Sequence, residues 1–272
     1  MDVALQDGGL RQFGGASLRR VVDRSSACVA EHAHDWPVLS LFVLGAYRNQ
    51  TELGEVLVAG PSALLYSARA AHRNTIAQAG FEQIEIEFDP AWLGRANLPE
   101  LPVSRWIGGR AGAEARRLVR LCLNEPCEDQ LRVRLRQFLQ MRRCERPPTA
   151  TPWLETIGQR LARNPALRAS DLAREMKRHP SWLGFAYRQM SGETLPEAGA
   201  RHRVERAARS LRETDQTLAD IAAEAGFCDQ SHMNRTFKRI LSRTPLAVRA
   251  DRNLFRNSAA QRAVSAQPNV KE

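Results

Sequence analysis

Two stretches in the second half of the chain repeat one another, and this repeat restricts the fold more than any other feature. "DLAREM" begins at Asp171 and "DIAAEA" at Asp220. Each is followed, at nearly the same distance, by an aromatic residue in a second polar-and-apolar run: Tyr187 in "YRQMSGET" and Phe237 in "FKRILSRT". Each unit reads as a short helix, a tight turn and a second helix. In the later unit Thr217 and Asp220 are placed as a capping box. Leu218, Ile221, Ala222 and Ala225 then give the first helix one apolar stripe. Gly226 supplies the turn, because a positive φ costs glycine little. The spacing predicts a second helix from about Gln230 to Leu241, with Met233, Phe237, Ile240 and Leu241 on one side. Ser231, His232, Arg235, Lys238 and Arg239 fall on the other, and Gln230 sits at the N-terminal tip.

A helix packed on one side and polar on the other can lie in a DNA major groove when a partner helix holds it there. Arginine can pair in bidentate fashion with guanine, and glutamine or asparagine with adenine. Lysine and the helix N-terminus hold phosphates. One such helix alone reads as the solvated face of an ordinary bundle; two capped copies favour the groove. Between the copies Thr194 and Glu197 start another capping box. The helix that follows buries Val204, Ala207, Ala208 and Leu211. At about 25 Å it is long enough to hold two recognition helices about one DNA turn, about 34 Å, apart.

The charge agrees with this placement. The 272 residues carry 40 Lys and Arg against 30 Asp and Glu, a net charge of +10. Residues 151–256 hold 19 basic and 12 acidic residues, net +7, whereas 1–150 hold 19 and 17, net +2. A polyanion is therefore the first partner to consider for the second half. The five cysteines (28, 122, 127, 144 and 228) form no CxxC pair, which suits a reducing cytosol. No basic n-region followed by an apolar run opens the sequence, and no apolar stretch is long enough to span a bilayer. A cytoplasmic location is expected, with no membrane partner.

The first half has a different texture. From Val21 to about Phe88 short apolar runs alternate with turn signals: "VLSLFVLGAY", "GEVLVAG", "PSALLYSA" and "FEQIEIEF". Close-spaced short strands predict a small barrel or sandwich. Two helical patterns follow, 111–124 and 128–143. In the second, Leu131, Leu135, Phe138 and Leu139 make a stripe that either covers the barrel or meets its copy in a homodimer. "ERPPTATP" (145–152) reads as a linker, since its prolines cannot continue a helix, and the polar tail 257–272 as disordered.

Residues 153–250 resemble the DNA-binding domain of AraC/XylS-type transcription regulators. The specific part is "ADIAAEAGFCDQSHMNRTFKRILSRTP". The resemblance implies a seven-helix domain with two helix-turn-helix units, and places base-reading residues at Gln230, Ser231, His232, Asn234 and Arg235, with Lys238 beside them. The first unit departs from the family pattern. Lys177 stands where glycine is usual in the turn, and His179 before Pro180 where Ser or Thr commonly caps. Its outward face carries Ser181, Trp182, Phe185 and Arg188, with Leu183, Ala186, Tyr187 and Met190 inward. Weaker hydrogen-bonded readout is expected there, with Trp182 and Phe185 either touching thymine methyls or packing on the neighbouring domain.

In that family the N-terminal domain is often a cupin-like barrel that binds an effector. His32, His34 and Gly45 have the spacing of a first cupin motif, with Val38 where a metal-binding Glu is wanted, and His72 falls near the second motif's histidine. The missing carboxylate argues against Zn or Fe. The three histidines are therefore expected to line an effector pocket or to hydrogen-bond within the barrel mouth, with no metal and no cofactor. No P-loop, nucleophile elbow, HExxH or GxGxxG appears.

The expectation is thus an α+β chain of two domains: a cupin-like β-barrel with following helices for effector sensing and dimerisation (1–144), a linker (145–152), and an all-α domain with two helix-turn-helix units (153–256). It is expected to be a sequence-specific regulator and not an enzyme, an activator under a small-molecule effector, with double-stranded DNA and RNA polymerase as partners. The alternatives are a cupin-type metalloenzyme with a DNA-binding appendage, using His32, His34 and His72 as ligands, and a nonspecific, charge-driven nucleic-acid binder.

Overall fold

The computed structural model describes residues 10–23, 28–97, 101–124, 127–141 and 152–250. The expected linker (Pro152 apart) and the tail 257–272 lie outside these residues. The chain divides into two compact units, Met1–His202 and Arg203–Glu272. The division falls inside a helix, so the first helix-turn-helix belongs to the first unit and the second to the other.

The first unit begins with eight strands: β1 (Leu10–Phe13), β2 (Ala16–Asp23), β3 (Cys28–His32), β4 (Val38–Thr51), β5 (Gly54–Ala59), β6 (Ser62–Tyr66), β7 (His72–Phe88) and β8 (Ser104–Ile107). They form one antiparallel sheet in the order β1-β2-β7-β4-β6-β8, with β3 also pairing β7 and β5 also pairing β4. The sheet turns on its two long strands. β4 and β7 pair from Val38↔Glu87 to Gln50↔Arg73, with register shifts between Phe42 and Leu44 and between Gly45 and Tyr47. Such irregularities bend a strand and let its two ends serve different neighbours.

The apolar run "VLSLFVL" has no polar face because both faces of β4 are covered. Leu39, Leu41, Leu65, Ile84 and Ile86 are fully buried on one face. The other carries Val38, Phe42 and Tyr47 in a cluster with Val56, Val58, Leu64, Tyr66, Ile76 and Phe81. The expected cupin-like barrel is not closed. β1 and β8 end the sheet path, each four residues long, and among the described residues neither pairs with the other.

Three helices complete this part: α1 (Pro90–Ala96), α2 (Gly109–Leu123) and α3 (Glu128–Leu139). α2 packs against β4 and β6 and buries Ala115, Leu118, Val119 and Cys122. The α3 stripe Leu131, Leu135, Phe138 and Leu139 is buried within the chain, with the Phe138 ring 4.9 Å from that of Trp106 on β8. Of the two roles expected for this stripe, it takes the covering one.

α4 (Pro152–Arg163), α5 (Ala169–Glu175), α6 (Pro180–Ser191) and α7 (Leu195–Glu213) follow. Ile157, Leu161, Leu172, Ala173, Leu183, Tyr187, Leu195 and Ala198 form their core. The C-terminal end of α6 meets the N-terminal end of α2 backbone to backbone. A Cβ on Gly108 would lie 2.1 Å from the Met190 carbonyl oxygen, and one on Gly192 2.5 Å from that of Gly109. Arg116 on α2 donates to the Gly192 carbonyl at 3.2 Å and pairs with Glu197 at 3.0 Å.

In the second unit the end of α7 leads to α8 (Leu218–Glu224), α9 (Gln230–Leu241) and a last helical stretch, 245–250. Val204, Ala207, Ala208, Leu211, Ile221, Ala222, Met233, Phe237, Leu241 and Val248 are buried there. The Thr194–Glu197 box at the start of α7 is reciprocal: the Glu197 N–H donates to Thr194 Oγ1 at 3.3 Å, and the Thr194 N–H donates to Glu197 Oε2 at 2.8 Å. No helix among the described residues is long and apolar enough to cross a membrane.

Candidate functional site

α8, its turn and α9 are held by local chemistry. Thr217 Oγ1 accepts from the Asp220 N–H at 3.1 Å, as the capping box requires. Gly226 takes φ +84°, and the Phe227 N–H closes the turn onto the Ala222 carbonyl at 2.9 Å. Phe227 turns inward. The N-cap of α9 is Asp229, whose Oδ1 accepts from the His232 N–H at 2.6 Å. Sequence reasoning missed this cap. Its signal was an Asp one residue before the first helical position, a usual place for an N-cap.

Met233, Thr236, Phe237 and Leu241 form the buried side of α9. Gln230, Ser231, Arg235, Lys238 and Arg239 are exposed, and His232 and Asn234 are half-buried. Among the expected base readers, His232 also has a structural task. Its Nδ1 accepts from the Cys228 N–H at 3.4 Å, and its ring meets Phe227 edge-on at 5.4 Å. That leaves Nε2 to carry the proton, a donor rather than an acceptor.

α5 and α6 reproduce this geometry with different residues. Lys177 takes φ +51° at the turn where α8–α9 has Gly226, and the Arg178 N–H closes onto the Ala173 carbonyl at 2.9 Å. At the far end the roles reverse: Gly192 (φ +78°) ends α6, whereas Ser242 (φ +54°) ends α9. His179 caps α6, its Nδ1 accepting from the Ser181 N–H at 3.3 Å. Ser181, Trp182, Phe185 and Arg188 are all exposed, Trp182 at 47% and Phe185 at 65%. Trp182 keeps its ring 6.1 Å from Trp153 of α4 and beneath the Arg178 guanidinium.

The three histidines singled out in the first half do come together. His32 ends β3, His34 follows two residues later, and His72 opens β7 opposite His32. Their ring centroids lie 4.2 Å (His32–His72), 5.1 Å (His34–His72) and 5.3 Å (His32–His34) apart. His72 is buried and stacks on Tyr66 at 3.8 Å; His32 and His34 are half-buried. Burial pushes the His72 imidazole down to about 4 and lowers His34 as well, so both stay neutral near pH 7.

A polar network lies on the same sheet face, and the sequence reading missed it. Asn49 Nδ2 donates to Tyr66 Oη at 3.0 Å and to Asn74 Oδ1 at 2.9 Å. Tyr47 donates to Gln83 Oε1 at 3.1 Å, and Gln83 donates to Glu85 Oε1 at 2.7 Å. Arg19 closes the row on Glu85 Oε2 at 2.7 Å. Burial raises the pKa of Tyr47 and Tyr66 well above the ordinary value for tyrosine, so both phenols stay protonated donors.

Comparison with known proteins singles out the helical half. The helix-turn-helix domain family matches residues 172–251. A protein of Proteus vulgaris named as the transcription factor PqrA is 33% identical over 97 residues, which are 36% of this chain and 77% of that protein. An AraC-like transcription regulator of Streptomyces lividans is 36% identical over 98 residues, 35% of this chain but only 32% of the relative, so this chain matches about a third of that protein's length. The crystal structure of ToxT from Vibrio cholerae aligns over 85% of this chain and 95% of its own, at 12% identity and a TM-score of 0.36. With its twin helix-turn-helix units in place and the Proteus vulgaris relative matched over 77% of its length, the chain belongs to the AraC/XylS-type transcription regulators, which bind DNA.

Proposed function

We propose that the chain is a cytoplasmic, non-enzymatic regulator that reads double-stranded DNA mainly through α9. Gln230, Ser231, His232, Asn234 and Arg235 face base edges in a major groove, and Lys238 neutralises a phosphate. α6 offers a more apolar surface, Ser181, Trp182, Phe185 and Arg188, suited to thymine methyls and backbone phosphates. The sheet-bearing part, within 1–144, binds a small-molecule effector beside His32, His34 and His72. The effector shifts the population of DNA-competent states by binding one of them more tightly. Activation, contact with RNA polymerase and pairing into a homodimer belong to the same reading and come from the family.

One observation carries the proposal: α9 leaves Gln230, Ser231, Arg235 and Lys238 exposed along one side while Met233, Phe237 and Leu241 are fully buried on the other. The test is recovery of sheared genomic DNA by the full-length protein at near-physiological salt, followed by sequencing. A few strongly enriched fragments sharing a motif are expected. Uniform recovery, or recovery lost with modest added salt, would leave only electrostatic binding and end the proposal.

A further inference from the structure

The histidine cluster has more order than a pocket lining requires. One ring nitrogen from each of His32, His34 and His72 lies within 4.8 Å of the other two. Bonds of about 2.0–2.1 Å to one tetrahedral ion would set such nitrogens about 3.3 Å apart, so binding would draw the three rings together. The Nδ1 atoms of His32 and His72 point at backbone carbonyls, Ala30 at 2.9 Å and Ala70 at 3.2 Å. A carbonyl accepts only from Nδ1–H, so each ring keeps its lone pair on Nε2. This is the orientation in which metal-bound imidazoles are held by their outer partners. The backbone is braced as well: the Arg69 N–H donates to the His34 carbonyl at 2.7 Å, tying the segment after β3 to the turn before β7. His72 is further fixed by its stack on Tyr66.

We propose that His32, His34 and His72 form a binding site for one divalent transition-metal ion, held by three neutral imidazoles with at least one position open. Imidazole nitrogens select ions such as Zn(II), Co(II), Ni(II) or Cu(II) over Mg(II) and Ca(II), which prefer oxygen. The carboxylate missing at Val38 does not forbid this, because three histidines alone hold zinc in some sites. The inference deepens the effector reading by naming an ion that the sheet-bearing part takes, and it rests on that reading only for the ion's regulatory meaning.

The test uses the full-length, metal-stripped protein and Co(II), whose visible bands report the ligand set. One equivalent is expected to bind at micromolar protein, with four- or five-coordinate bands and no thiolate charge-transfer band. His34→Ala, at a half-buried position, is expected to weaken binding by about 100-fold or more, beyond the roughly 10- to 100-fold typical of losing an outer partner. His72→Ala is expected to do the same, with circular dichroism confirming that each variant is folded. Should His72→Ala unfold, His32→Gln takes its place. Absence of bands at stoichiometric Co(II), or bands unchanged in folded His34→Ala, would overturn the proposal. DNA selection is measured separately, with chelator present. A protein that selects its motif but binds no Co(II) loses the metal site and keeps the regulator reading; one that binds Co(II) but selects no DNA does the reverse.

Discussion

Lys177 is a lysine in a glycine's conformation, and replacing it is a clean test of how the first helix-turn-helix is built. Its φ of +51° matches the turn position that Gly226 holds at +84° in the second unit. The left-handed region costs a residue with a Cβ about 1–2 kcal/mol. Glycine escapes that cost but gives up about 0.5–1 kcal/mol in unfolded-chain entropy. Lys177 is exposed, so little packing is lost with its side chain. Lys177→Gly is therefore expected to stabilise the first unit by about 0.5–1 kcal/mol. The assay is urea unfolding of the full-length protein followed by tryptophan fluorescence, since Trp153 and Trp182 sit in the same helical cluster. The midpoint should rise with the slope unchanged. The mirror variant Gly226→Ala should cost about 0.5–1 kcal/mol in the second unit, by the same difference. A lower midpoint for Lys177→Gly, or none of the expected loss for Gly226→Ala, would show that backbone strain does not govern these turns.

Three further outcomes are expected. Arg235→Ala should cost about 1–3 kcal/mol of DNA affinity, concentrated at one base position; competition binding against single-base variants of the selected motif checks this, and equal losses on every sequence would remove the base contact. Glu82→Ala should destabilise the sheet by about 3–5 kcal/mol in urea unfolding, the usual cost of breaking a buried ion pair, here the one between Glu82 and Arg20; retained stability would mean that water reaches the pair. His72 has a folded pKa of about 4 against an ordinary 6.5. The unfolded chain therefore takes the proton first, and the stability is whole above pH 6.5 and is lost progressively from there down to about pH 4. Melting temperatures between pH 7 and 4 should show this slope in wild type and a shallower one in His72→Gln.

The helical half was the more legible because its rules are local. Capping boxes at Thr194 and Thr217, the Gly226 turn and the Met233–Phe237–Leu241 stripe each act over a few residues, and all are present. In the sheet, β4, β5, β6 and the second half of β7 (81–88) coincide with the apolar runs, whereas β1, β2, β3, β8 and the first half of β7 do not announce themselves. β1 and β8 have four residues each, too few for a period-two pattern to rise above chance. The alternation in "FEQIEIEF" was visible, but its meaning was not. Ile84 and Ile86 are buried as expected, yet Gln83 and Glu85 are buried too, because the opposite face carries the Tyr47–Gln83–Glu85–Arg19 row. An alternating strand reads as half-wet from sequence unless the partners on its polar side are known. The role of the Leu131–Phe138 stripe was ambiguous for a related reason: periodicity gives the apolar face of a helix but not what covers it.

The pairing of β4 with β7 also sets the order in which the protein can be made. This seam joins residues as distant as Val38 and Glu87, and β5 and β6 lie in the loop between. No part of it forms until that loop has closed, and the entropy of closure comes before any reward from contacts. In the second unit α8 and α9 adjoin in sequence and need no such wait. On dilution from denaturant the DNA-reading helices should therefore assemble first and the sheet later. During synthesis, which runs from the other end, the slow half emerges first and gains the time it needs before the fast half leaves the ribosome.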